Sequence, residues 1–513
     1  MRHLPLKWIL ACSVLVLAIL LTSCREDFEY VPSTGNLEFS KDTVFLDTVF
    51  TNIGSATYSL KVYNRSNQDI LIPFIGMENG QSSSYRLNVD GKAGKEFTDT
   101  PLLAKDSLFV FIETTFDISQ IPETEFLYAE SLLFGTGAST QKVELVTLVK
   151  DAIFLYPDSS SDGTKESLLL GLDEEGNEIR VEGFFLETDE LLFTNEKPYV
   201  IYGYAAVSDG NTLTMEPGTR VHFHKNSGIL VASGGSLDIN GQLSADQDVL
   251  ENEVIFEGDR LETTYADEPG QWGTVWISQG STNNQIDYLT VKNASIGLRV
   301  EGDGQLNAPT LTLRNVQIYN STKDNLWATS AYIVAENVVL GNAGHSSLYA
   351  NLGGRYEFAH CTLANYWGSG FRNGPALFIS NFEGANTRGL TSANFINCII
   401  DGSMSIELGL QQDPTAEFNF SFINCLLQFD DTANLYEKNP LFDFQNPEKY
   451  TNVILNQPPD FQNPFKNQFQ IGAASSALDA AEPNIPSSIP MDILGVDRTQ
   501  NPDIGAFEFV PNN

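Results

Sequence analysis

The stretch FINCIIDG (395–402) returns almost unchanged as FINCLLQF (422–429), and a looser form, FAHCTLAN, precedes both at 358–365. Aligning these with IDYLTVKN, LRNVQIYN and AENVVLGN puts Leu289, Val316, Val338, Cys361, Cys398 and Cys425 in one column, at intervals of 27, 22, 23, 37 and 27 residues. A period in the twenties marks a solenoid, in which each repeat is one coil stacked on the next. Two positions on, Val291, Ile318, Leu340, Leu363, Ile400 and Leu427 form a second apolar column. Side chains alternate between the faces of a strand, so both columns share one face, the interior of the stack. Thr290, Gln317, Val339 and Thr362, lying between the columns, are expected to point outward. The three cysteines then pack as small apolar side chains. A zinc site would need paired spacing such as C-x2-C, which is missing, and no metal is expected.

The same alignment brings Asn293, Asn320, Asn342 and Asn365 into register at the ends of four consecutive repeats. Stacked amides can pass hydrogen bonds from coil to coil and satisfy turn backbone that strands do not reach. With the two apolar columns, this ladder resembles the right-handed parallel β-helix of pectate-lyase-like proteins. The stretch 211–242, with its Pro217-Gly218 turn and its GGSLDING phrase, resembles the first coils of such a helix. MDILGVDRTQNPDIGAFEF (491–509), with Asp492, Gly495, Arg498, Asp503, Gly505 and Glu508, resembles the closing stretch of secreted bacterial β-helix proteins. A solenoid must cover its last coil, so this segment is expected to cap it.

The chain opens with Arg2 and Lys7, an apolar run from Trp8 to Leu21, and Leu21-Thr22-Ser23-Cys24. That pattern is a secretion signal. It resembles a bacterial lipobox, which implies lipidation of Cys24 as the first mature residue. The alternative is an uncleaved anchor, but the run is shorter than the ~20 residues a span needs. The acidic run 25–29 resembles the export tag of Bacteroidetes surface lipoproteins, which implies an outer-membrane, surface-exposed location. The balance of 29 basic against 66 acidic residues gives −37, a charge that repels phosphate backbones and argues against nucleic-acid binding. With 42% hydrophobic and 11% aromatic residues there is still material for a large core.

Between 35 and 150 short strands alternate with turns, as in YSLKVYNRS (58–66) and DSLFVFIETTF (106–116), the latter apolar on both faces like a central strand. This portion resembles the immunoglobulin-like modules that precede the main body of Bacteroidetes surface proteins. The expected organisation is a signal peptide (1–23), an acidic tether (24–34), an immunoglobulin-like β-sandwich (35–150), a transition or N-terminal cap of the solenoid (151–205), a right-handed parallel β-helix (206–470) and a C-terminal cap (471–513). The fold class is all-β.

The β-helix resemblance implies polysaccharide lyases and hydrolases, whose equipment can be sought residue by residue. A calcium-dependent lyase needs carboxylates on adjacent coils and a basic residue near the uronate. Here Glu301, Asp303, Asp324, Glu336, Glu357 and Glu383 share no column, so no calcium ligand set emerges and no cofactor is expected. Asp430-Asp431, the one compact acidic pair of the kind a hydrolase uses, reads as a solvated turn. The richest cluster lies at 344–374, with His345, Tyr349, Arg355, Tyr356, Trp367 and Arg372, and with Trp327 one coil earlier. Aromatic faces stack on sugar rings while Arg, His and Asn supply directed hydrogen bonds, which makes a glycan groove. His360 falls in the column of Asn315, Asn337, Asn397 and Asn424, the place of a turn or surface residue. The 37-residue interval after Cys361 predicts a loop over about 366–391, which either covers a packed aromatic cluster or lines a binding face. Two functions remain open: a non-catalytic glycan-binding or scaffold protein, with a polysaccharide or an outer-membrane complex as partner, and a polysaccharide lyase or glycoside hydrolase.

Overall fold

The computed structural model describes residues 29–117, 125–172, 175–304, 307–483 and 489–511. Cys24 and the expected signal peptide lie outside the described residues. The protein is all-β and divides into two units at 149/150.

The first unit holds a six-stranded and a five-stranded sheet that share one core. Alternation explains it: in Tyr58–Tyr63 the fully buried Leu60 and Val62 face that core while their neighbours do not. The strand Ser107–Thr114 is central in its sheet, as its composition predicts. Only one of its faces is covered, however, and Phe109 and Phe111 stack on each other in the open.

In the second unit the chain visits three parallel sheets in turn. Leu289–Lys292 lies in the first sheet, Leu298–Glu301 in the second and Leu311–Arg314 in the third, and Gln317–Ser321 returns to the first. The sheets hold 11, 10 and 10 strands, ending in Ile454–Leu455, Leu408–Gln411 and Tyr450–Thr451. They begin at Ile153–Leu155, Ser167–Leu172 and Leu192–Phe193, all within the span 151–205. The hairpin of Ser167–Leu172 with Glu178–Phe185 is the antiparallel start of the second sheet.

The second apolar column lies in the first sheet in the expected register, the first column sits where the chain enters those strands, and all twelve residues are 0% exposed. Burial pushes the Cys398 and Cys425 thiols well above their ordinary pKa, as an apolar file of stacked side chains requires. The bend from the third sheet into the first is made by one left-handed residue in each coil: Asn315, Asn337, His360, Asn397 and Asn424 have φ between +46° and +56°. Asparagine tolerates that conformation. Its amide also links coils: Asn337 Nδ2 donates to Asn315 Oδ1 at 3.0 Å, and Asn397 Nδ2 meets His360 Nε2 at 2.9 Å. His360 is therefore a turn residue, but a fully buried one, and burial pushes its pKa down to about 2.

The predicted ladder at the other end of the strands is interrupted. Asn320 Nδ2 donates to Asn293 Oδ1 at 3.4 Å, but Asn342 reaches Asn320 only through Asn467, whose amide bridges the two. Asn365 is not a rung. Its amide turns inward and pairs with both backbone groups of Ala343, at 3.0 and 3.1 Å.

The closing segment packs on the outer face of the last coils, where Ala477, Ala481 and Ile504 cluster with Ile399, Leu426 and Ile454, and not over the open end of the stack. It runs back along the outside of the first sheet, where Phe469, Ile493, Ala506 and Phe507 pack on Tyr319, Val339 and Ala364. Val339 and Thr362 do leave the interior as predicted, yet they are 0% and 1% exposed because this strap lies over them. Gly505 explains the tight seating: its φ is +105°, and a Cβ there would stand 2.8 Å from Ile399 Cδ1. Asp492 accepts the backbone N–H groups of Leu494, Val496 and Glu508, and buried Arg498 lies 3.5 Å from Glu508. The last coil is covered instead by the loop before Tyr450, through Phe429, Tyr436, Phe442 and Phe444.

Candidate functional site

Inward residues of the second sheet come in apolar pairs that bracket one outward residue, as in Val275-Trp276-Ile277 and Leu326-Trp327-Ala328. Parallel pairing in register then stacks the outward residues of successive strands: Trp276, Arg299, Trp327, Tyr349, Phe378 and Gly409. The five side chains are half-buried and form a continuous ladder on the outer face. The Arg299 guanidinium lies 4.0 Å from the centre of the Trp276 ring and 5.3 Å from that of Trp327. Trp327 meets Tyr349 edge-on at 5.8 Å, and Tyr349 stacks on Phe378 at 5.0 Å with an 8° interplanar angle.

The charge on this face is acidic or neutralised. Arg299 is paired with Glu301 at 2.6 Å. His345, 5.3 Å from the Tyr349 ring, holds the buried carboxylate of Asp324 through Nδ1 at 2.8 Å. Burial raises the Tyr349 pKa, and Glu383 and Asp324 add to the shift, so the phenol stays neutral and available as donor and acceptor.

Of the residues expected to cluster, the structure brings together Trp327, Tyr349 and His345. The rest are elsewhere. Arg355 and Tyr356 belong to Gly354–Ala359 in the third sheet. Arg355 points outward, 4.4 Å from the Tyr332 ring and 3.2 Å from Glu357, whereas Tyr356 points inward and donates its hydroxyl to Gly353 O. Trp367 follows Thr362–Asn365 and lines a separate cleft of about 280 Å³ with Asn320, Asn342, Phe465 and Asn467. Arg372 is buried, forking onto the fully buried Glu407 at 2.6 and 2.9 Å. It clamps the loop 366–376 jointly with Tyr366, whose hydroxyl donates to Asp401, a carboxyl that burial pushes up to about 6. The span 366–391 is not one loop, because Leu377–Ser380 within it is a strand of the second sheet. Asp431 accepts the backbone N–H groups of Leu435 and Tyr436, which makes the acidic pair a turn.

Trp276, Arg299 and Phe378 escape a reading built on the first-sheet repeats. Their signal is present all the same. VWI, LRV, LWA, LYA, LFI and LGL recur along 275–410, each with its middle residue in the outward column.

No family model and no curated protein matches the chain. Among solved structures it is similar to the ASH/PapD-like domain 7 of human CEP192, with 10% identity over 25% of this chain and 91% of that one and a TM-score of 0.16. It is also similar to the periplasmic chaperone SfaE, with 14% identity over 22% of this chain and 57% of that one and a TM-score of 0.16. A family 123 glycoside hydrolase from Clostridium perfringens is 8% identical over 24% of this chain and 30% of that one, again with a TM-score of 0.16.

Proposed function

We propose that this protein is a non-catalytic glycan-binding protein of the bacterial cell surface, in which a right-handed parallel β-helix presents the flank of its second sheet to polysaccharide. In this reading Cys24 carries the lipid anchor in the outer membrane, and an immunoglobulin-like module acts as spacer. The organisation resembles that of Bacteroidetes surface lipoproteins. One observation carries the proposal: the column Trp276, Arg299, Trp327, Tyr349 and Phe378 continues over five adjacent strands. Strands ~4.8 Å apart spread it over roughly 19 Å, the length of several sugars. Aromatic side chains with hydroxyl, imidazole and guanidinium neighbours suit an amphipathic ligand that is apolar on its ring faces and polar at its rim.

A lyase or hydrolase is the second reading, favoured by His345, which Asp324 orients at 2.8 Å beside Tyr349. Such chemistry on a uronate also needs a cation for the carboxylate. The two candidates are committed elsewhere, Arg355 to Glu357 and Arg372 to Glu407. Incubation with a polysaccharide panel separates the readings. Retention without new chain ends, lost in Trp327→Ala, supports binding; turnover lost in His345→Ala supports the enzyme.

A further inference from the structure

We infer that the cleft at the end of the second sheet is a terminal subsite for a neutral saccharide, an inference that rests on the glycan-binding reading of the flank. The first and third sheets each continue past the level at which the second stops, at Leu408–Gln411. Where the next strand of the second sheet would lie, the chain forms the loop that ends the stack. A cleft of about 550 Å³ remains, lined by Phe382, Gln411, Gln412, Tyr436 and Asn439 around Gly409. That volume is within the usual range for small-ligand sites, ~300–1,000 Å³.

Three features point to the ligand. First, Leu408–Gln411 pairs with a strand on one side only, so its outer edge offers backbone donors and acceptors to a group that can do both, as sugar hydroxyls do. Second, no Asp, Glu, Lys, Arg or His lines the cleft, in a chain whose net charge is −37. An anionic chain would meet long-range repulsion with no cation in the lining to offset it, Lys449 Nζ being held by Pro440 O at 3.3 Å, and a cation would find no carboxylate in the cleft. Amides and aromatic rings in that setting suit a neutral, hydroxyl-rich ring. Third, the cleft continues the aromatic column. Gly409 pairs with Phe378, whose ring lies 3.0 Å from where a Cβ of residue 409 would stand. The glycine thus lets the last ring of the ladder lie directly over residue 409, which itself lines the cleft, and a linear glycan lying along the ladder ends there.

The test is calorimetric titration of the whole chain with neutral gluco-, manno- and xylo-oligosaccharides of graded length, and with oligogalacturonates. Gln411 and Gln412 are exposed, so the double variant Gln411→Ala/Gln412→Ala should keep the wild-type melting temperature. A neutral oligosaccharide should bind the wild type, with the double variant weaker by ten-fold or more. Unchanged affinity in that variant, with binding lost in Trp327→Ala, overturns the end site and leaves the flank reading standing. Preference for oligogalacturonates overturns the neutral ligand alone. Failure of the wild type to bind any glycan overturns both.

Discussion

Trp327 and Tyr349 are paired residues on adjacent parallel strands, and their rings stand 5.8 Å apart at 88°. This perpendicular contact joins the Trp276–Arg299 block to the Tyr349–Phe378 stack, so removing Trp327 divides the ladder. Because Trp327 is only half-buried on the outer face, its loss opens no cavity in the interior. Trp327→Ala should weaken glycan binding by ten-fold or more, about 1.4 kcal/mol, while shifting the melting temperature by no more than ~4 °C. Titration calorimetry and thermal melts of the same preparations check both numbers.

The cysteine file gives a stability prediction with a definite order. Cys361, Cys398 and Cys425 are fully buried between apolar neighbours. Cys398→Val keeps an apolar group and should cost under ~1.5 kcal/mol. Cys398→Ser puts a hydroxyl into the same file and should cost more, about 1–3 kcal/mol. Urea unfolding of the two variants against wild type measures the order. In the native protein all three thiols should react with a thiol reagent only after unfolding.

Seating of the strap depends on Gly505, where φ is +105° and the space for a Cβ is taken by Ile399 and Thr362. Gly505→Ala therefore combines backbone strain of about 1–3 kcal/mol with a steric clash. The expected result is local detachment of 490–509, read as faster amide exchange at Val339 and Thr362 and earlier proteolysis within the strap. Unchanged exchange at Val339 and Thr362, with faster exchange confined to Tyr450–Thr451 at the end of the third sheet, would instead mean that the segment covers the end of the stack.

Glu508 makes the docking of the strap pH-dependent. Burial pushes its pKa up to about 7, against an ordinary value of 4.5, with Arg498 opposing the shift. A carboxyl whose folded pKa is raised binds its proton more tightly when folded, so its contribution is complete below pH 4.5 and is lost as pH rises through about 7. His360, held neutral by burial, acts in the opposite sense below its ordinary pKa, so the Glu508 contribution must be isolated by difference. The stability of wild type minus that of Glu508→Gln, from urea titrations, should fall between pH 4.5 and 7. A flat difference would remove the effect.

How much of this was legible in the sequence depends on the physics of each feature. Register in the first sheet was readable because interior positions are strict: Cys361, Cys398 and Cys425 share a column in which only small or branched apolar groups fit. The turn asparagines were visible too, but which of them are rungs was not. Asn365 and Asn320 share a column in the sequence, yet the backbone is left-handed at Asn320 and not at Asn365. The strap was misplaced because an apolar outward residue such as Val339 implies a cover without naming it, and that cover is more than a hundred residues away in the chain. The structure divides the cluster at 344–374. Proximity in sequence spans about one coil, and one coil distributes Tyr349, Tyr356 and Asn365 over three different sheets. The aromatic column needed the outward positions of the second sheet aligned separately, since Trp276 and Phe378 are about a hundred residues apart yet lie on one line.

The most direct measurement is intrinsic fluorescence of the whole chain during titration with neutral polysaccharides. Among the tryptophans of the described residues, only Trp276 and Trp327 lie in the ladder; Trp272 is interior and Trp367 lines another cleft. The account predicts a saturable change in emission that disappears in Trp276→Phe/Trp327→Phe, together with weaker binding. Undiminished binding by that variant, or no binding by the wild type, would contradict it.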